Sequence, residues 1–138
     1  MNDTVRPELS KKSEYWIPKH RYYELKHFCQ QYPEWKAARA WIDGFSDSQQ
    51  LGDRVQTSTL ADRTADSAQL RIVYSDRIDM VDNAAEQADP ELAYFIRKGV
   101  TEGYSYEALR LRFNMPCGRE TYYDRYRKFF WHLHLARN

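Results

Sequence analysis

From Thr59 to Ala88 the chain contains neither glycine nor proline. Those two residues are what most often ends a helix, so the stretch reads as one long helix. Along it Leu70, Tyr74, Ile78, Val81, Ala85 and Ala88 recur at intervals of four, four, three, four and three, a narrow heptad-like stripe. A stripe of that kind packs against the rest of its own chain or pairs with a second copy, so a homodimer stays open. Asp76, Asp79 and Asp82 repeat every third residue on the same segment. With no glycine-rich phosphate loop anywhere in the chain, a Mg²⁺ role for this carboxylate row has little to build on, and a solvated face is its simplest reading.

The remaining segments also carry helical periodicity. Residues 1–14 are polar, with Pro7 and a Lys11-Lys12-Ser13 run, and read as a flexible arm. Residues 15–45 read as a helical hairpin. Pro18 opens the first helix, on which Tyr22, Leu25, Phe28, Cys29 and Tyr32 are spaced to face inward. Pro33 separates it from a second helix carrying Trp35, Ala38, Trp41 and Ile42, which Gly44 is expected to end. Residues 46–58, rich in Ser, Asp, Gln, Gly and Thr, suit a linker. After the long helix of 59–88, Asp89-Pro90 is a clean restart, with Asp as cap and Pro in the first helical position. The expected fold is therefore all-α: an N-terminal helical hairpin, a long central acidic helix, and a C-terminal helix-turn-helix-like unit over 89–138.

Charge is distributed unevenly. Residues 11–41 hold 7 Lys/Arg against 3 Asp/Glu, residues 42–96 hold 4 against 11, and residues 97–138 hold 9 against 4, although the whole chain sums to +1. Basic ends suit a polyanion and the acidic middle does not. No apolar run is long enough to span a membrane, and the N-terminus has no apolar stretch of the kind a secretion signal needs. Two distant cysteines, Cys29 and Cys117, make neither a disulfide framework nor a zinc knuckle, so a reducing cytoplasm is the expected location.

The most distinctive stretch is the C-terminus. A short helix from Glu91 to about Val100 ends at Gly103, and Ser105 caps a second that carries Tyr106, Leu109 and Phe113. A tight turn, Asn114 to Gly118, then leads into a long basic-aromatic helix from Arg119 to about Leu135. On this last helix Tyr122, Tyr126, Phe129, Phe130 and Leu133 fall on one side. Arg119, Glu120, Tyr123 and Arg127, with Asp124, fall on the other. Two helices joined by a few residues, the second with its N-terminal end free, are what insertion into the DNA major groove requires. Arg119, Glu120, Tyr123 and Arg127 would face the bases, with Arg110, Arg112 and Lys128 on phosphates. The bland reading of the same helix is that it closes a bundle.

Residues 103–133, Gly-Tyr-Ser-Tyr-Glu-Ala-Leu through Cys-Gly-Arg-Glu-Thr-Tyr-Tyr-Asp-Arg-Tyr-Arg-Lys-Phe-Phe-Trp, resemble the C-terminal helix-turn-helix of the ArpU/RinA-like late-gene regulators of Firmicute phages, whose module is similar to sigma factor region four. The block Trp-Ile-Pro-Lys-His-Arg-Tyr-Tyr-Glu-Leu-Lys-His-Phe-Cys at 16–29 also looks like prophage proteins of that bacterial group. The resemblance implies a DNA-binding transcriptional regulator with double-stranded DNA as partner. The turn departs from the family, with Met115-Pro116-Cys117-Gly118 where a Ser or Thr cap is usual.

Other chemistry has little support. His20 and His27 lie two turns apart, and His132 and His134 face apart on a helix, so no metal site is expected. Cys29 and His27 are likewise misaligned at i,i+2. There is no nucleophile motif, and neither an enzyme nor a cofactor is expected. The alternative function is protein binding. A phage-encoded inhibitor of a host defence nuclease, of the anti-CRISPR type, could use Asp76, Asp79 and Asp82 to mimic nucleic acid toward a host protein.

Overall fold

The structure, a computed structural model, describes residues 13–52 and 58–138, with side chains outside 45–65. Six helices are present among the described residues: α1 (Lys19–Gln30), α2 (Tyr32–Gly52), α3 (Ser58–Ala88), α4 (Ala93–Glu102), α5 (Tyr106–Phe113) and α6 (Arg119–Ala136). No described residue is in a strand, and the fold is all-α. The chain divides into two compact units. One comprises the described residues up to Gln31 together with Met80–Asn138, and the other comprises Tyr32–Asp79.

Punctuation in the sequence explains most helix ends. Pro18 sits at the N-cap of α1 in an extended conformation, and its carbonyl accepts the Tyr22 N–H at 2.9 Å. Only Gln31 separates α1 from α2, with Pro33 in the first turn of α2, where its missing N–H costs nothing. The Asp89 carboxylate accepts the backbone N–H groups of Glu91 (2.9 Å) and Leu92 (3.2 Å), holding a turn that delays α4 to Ala93. Gly103 ends α4 with φ of 82°, a conformation glycine adopts without Cβ strain. Ser105 Oγ accepts from Ala108 N at 3.1 Å and starts α5, while Asn114, at φ of 55°, ends it. The next residue, Met115, drops into the core.

Two expectations are corrected. Helices α1 and α2 both form, and they fall in different compact units. Gly44 does not end α2, which continues to Gly52 through the expected linker. A lone helical glycine costs about 1 kcal/mol relative to alanine, too little to stop a helix by itself. The rest of the linker, 53–57, and nearly all of the expected arm lie outside the described residues. Finally, the α3 stripe does not behave as one surface. Ile78, Val81, Ala85 and Ala88 are buried, whereas Leu70 is 47% exposed.

In the unit that carries the C-terminus, α1 packs on α4 and α6, and α4 packs on α5 and α6. Its core is Ile17, Leu25, Phe28 and Cys29 from the N-terminal segment, Ile96 and Val100 from α4, Leu109 from α5, and Tyr122, Phe129, Phe130 and Leu133 from α6. Ala84, Ala85 and Ala88 line the end of α3, small side chains that permit close backbone approach. In the other unit Tyr32, Trp35, Ile42 and Ile78 are buried. There Arg71 donates twice to the Asp43 carboxylate, and the Arg77 guanidinium lies 5.8 Å from the centre of the Trp35 ring.

Candidate nucleic-acid interface on the C-terminal unit

Helix α6 closes the core and yet leaves its first turn outside it. Phe129, Phe130 and Leu133 are fully enclosed, while Arg119, Glu120 and Thr121 are exposed. Residues 123–128 are all half-buried. The helix is locked from both neighbours. The Tyr22 hydroxyl of α1 hydrogen-bonds that of Tyr126 at 2.8 Å, and the Tyr22 ring meets Phe130 edge-on at 5.0 Å. Arg21 donates through Nε to His134 Nδ1 (2.9 Å) and through Nη2 to the His134 carbonyl (3.2 Å). Arg125 pairs with Asp89 Oδ2 at 3.1 Å, so one Asp89 oxygen caps the turn before α4 and the other anchors α6. Asp124 also contacts Arg125.

A tyrosine layer continues from this core to the α5–α6 turn. Tyr106, Tyr122, Tyr123 and Tyr126 form a chain of ring contacts between 5.1 and 6.3 Å. The Tyr106 hydroxyl donates to the Cys117 carbonyl at 3.0 Å, and Arg110 Nη1 bonds both that carbonyl (3.3 Å) and the Tyr106 hydroxyl (3.1 Å). The carbonyls of the turn are thereby fixed from α5, which sets where α6 begins. Burial drives the phenols of Tyr122 and Tyr126 well above the ordinary value, and it does the same to the Cys29 thiol.

The residues expected to contact DNA are distributed as follows. Arg119 is exposed, pairs with Glu107 of α5, and stacks against the rings of Tyr106 (5.6 Å) and Tyr123 (5.3 Å). A bond from its own backbone N–H and the Arg119 guanidinium hold the Glu107 carboxyl below its usual range. Glu120 is exposed beside Arg119. Arg110 and Arg112 are exposed on α5, and the Arg112 guanidinium lies 5.4 Å from the centre of the Tyr104 ring. Arg127 is half-buried and donates to the Tyr123 carbonyl at 3.3 Å, and Lys128 is half-buried. Tyr123 does not point away as expected: its ring joins the tyrosine layer. Arg119 and Arg110 therefore meet at Tyr106 beside the α5–α6 turn, Arg112 lies instead against Tyr104, and Arg127 and Lys128 sit lower on α6.

The alternative site is divided. Asp76 and Asp79 are exposed, but Asp82 lies 3.6 Å from Arg97 of α4. Sequence reading missed Glu107 and Gly99, and it placed Tyr106 on α5 without its role at the turn. Glu107 precedes Arg119 by twelve residues, a separation no helical periodicity links. Among the described residues no group of three or more His, Cys, Asp and Glu side chains is arranged to hold a metal ion. No helix among them is long and apolar enough to cross a membrane. No protein family, curated protein or solved structure matches the chain.

Proposed function

We propose that the C-terminal unit binds duplex DNA through the first turn of α6 and the arginines of α5, and that the chain acts as a transcriptional regulator of the phage or prophage kind. The carrying observation is the exposed first turn of a helix whose later residues enter the core, with Arg119 and Arg110 both on Tyr106, which also fixes the joining turn. A helix end held from behind, with an arginine exposed at its first residue, is what groove insertion needs. The resemblance of residues 103–133 to phage late-gene regulators leads the same way. Arg127 and Lys128, lower on α6, are assigned to phosphates.

The test is fluorescence anisotropy on the chain's own upstream intergenic duplex and on a scrambled duplex, across a salt series. Neutralising about four phosphates would lower affinity on the order of 10²-fold between 50 and 200 mM salt. Arg110→Ala combined with Arg127→Ala should flatten that slope. Absence of binding at low salt refutes the proposal. A second reading then stands on the exposed Asp76 and Asp79 of α3. As an inhibitor of a host nuclease, the chain would bind a basic host protein stoichiometrically and lose that binding on Asp76→Lys with Asp79→Lys.

A further inference from the structure

Arg119 is mounted differently from the other basic residues. Its Nη1 is given to the Glu107 carboxylate, and the guanidinium is flanked by the rings of Tyr106 and Tyr123. Its Nη2 and Nε make no hydrogen bond among the described residues. One edge of the planar fork is thus held while another is open, at the first residue of α6 and half-exposed. A fork fixed in this way loses little further freedom on meeting a planar acceptor pair.

The surrounding charge decides which acceptor it suits. Glu107, paired with Arg119, and Glu120, the next residue in the chain, place two carboxylates at this arginine. Two carboxylates disfavour a phosphate, which is itself an anion. A base edge is neutral, and guanine presents O6 and N7 as a pair of acceptors matched to an arginine fork. Arg110 and Arg112 are exposed and form no ion pair among the described residues, so they are the better phosphate contacts.

We propose that Arg119 reads a guanine edge in the major groove, and that Glu107, with the rings of Tyr106 and Tyr123, is the mount that positions it. This rests on the DNA-binding reading and deepens it. Arg119 is the contact residue, and Glu107 is a positioning residue that touches no base.

The experiment is selection of duplexes from a randomised library by the full chain, followed by anisotropy on the enriched duplex in a salt series. The proteins are wild type, Arg119→Lys, Glu107→Gln and Glu107→Asp, each checked for an unchanged circular dichroism melt. Wild type is expected to enrich a guanine at one fixed position, and replacing it by adenine should weaken binding about tenfold. Arg119→Lys keeps the charge but loses the fork, so the discrimination should fall to near unity with the salt slope intact. Glu107→Gln should lower discrimination several-fold without flattening the slope, and Glu107→Asp should restore part of it. Guanine preference that survives Arg119→Lys overturns the assignment while leaving DNA binding in place. Discrimination unchanged in Glu107→Gln overturns the mount. No enriched duplex and no salt-dependent binding overturns this inference together with the function on which it rests.

Discussion

Gly99 lies within α4 where Tyr122 of α6 comes closest to its backbone. A Cβ at that position would run into the Tyr122 hydroxyl, with the Tyr104 carbonyl oxygen 3.4 Å and a Leu109 methyl 3.7 Å away. The obstructing oxygen belongs to a rigid ring only 2% exposed, so it has nowhere to go. Overpacking a filled core costs about 1–3 kcal/mol, and the better helix propensity of alanine returns about 1 kcal/mol. With an unyielding neighbour the upper half of that range applies, and Gly99→Ala is expected to lose about 1–2 kcal/mol net. Tyr122→Phe removes the obstacle. The Tyr122 hydroxyl is enclosed and forms no hydrogen bond among the described residues, so its removal should leave stability unchanged or raised. In the Tyr122→Phe background, Gly99→Ala should become neutral or stabilising, a coupling of about 2 kcal/mol in the double-mutant cycle. Urea unfolding of the four proteins by circular dichroism, with equal m-values required, measures it. If Gly99→Ala matches wild type, or its loss persists unchanged in the Tyr122→Phe background, the close approach of α4 to α6 is not what requires glycine.

Tyr126→Phe should cost about 1 kcal/mol in the same melts, because it removes the enclosed hydrogen bond between the Tyr22 and Tyr126 hydroxyls; an effect no larger than that of Tyr122→Phe would refute this. Acid should destabilise the fold through two histidines. Burial holds His134 and His132 below the ordinary imidazole value of 6.5, with Arg21 and Lys128 respectively adding to it. Since the folded value lies below the unfolded one, this stability is complete above pH 6.5 and is lost as pH falls through the folded values. Protonated His134 can no longer accept from Arg21 Nε, so Tm should fall between about pH 7 and 5, and His134→Gln should reduce the fall. A flat Tm across that range would contradict it. A thiol reagent at about pH 8 should modify Cys117 first and reach Cys29 only on unfolding, because Cys29 is fully buried with its thiol pushed far up. Equal rates of modification would show that the core around Cys29 opens readily.

Helix class and most boundaries were legible because each rests on a local device. Asp89, Gly103 and Ser105 act within four residues of themselves, and Pro18 acts on the turn it opens. What was not legible rests on residues distant in sequence. Gly44 is passed over, since a single glycine costs a helix too little to end it. The α3 stripe has the same period at Leu70 as at Val81, yet Leu70 is exposed, Ile78 is buried in one unit, and Val81, Ala85 and Ala88 are buried in the other. On the site, Arg119 and Glu120 were correctly placed outside the core by helical spacing, and Tyr122, Phe129, Phe130 and Leu133 inside it. Tyr123 failed because periodicity divides a helix into two faces. A large ring at the border can turn toward neighbours, here Tyr106 and Tyr126, that a single-helix pattern does not contain.

The charge asymmetry of the sequence also changes meaning once the helices are assembled. An acidic middle and a basic end suggest two opposed surfaces, but within the C-terminal unit part of that contrast is consumed internally. Asp82 meets Arg97, and Asp89 meets Arg125. These pairs join the end of α3 to α4 and the turn before α4 to α6, so their acids and bases serve the assembly of the bundle. Exposed pairs are worth little individually, and their effect here is mainly on register. Arg110 and Arg119 both lie against Tyr106 at one turn, whose carbonyl at Cys117 is held by Tyr106 and Arg110. A reading of net charge alone weights Arg97, Arg119 and Arg125, each paired with an acid, equally with Arg110 and Arg112, which form no ion pair among the described residues, and so finds the basic third of the chain but not the residues within it whose charge no acid matches.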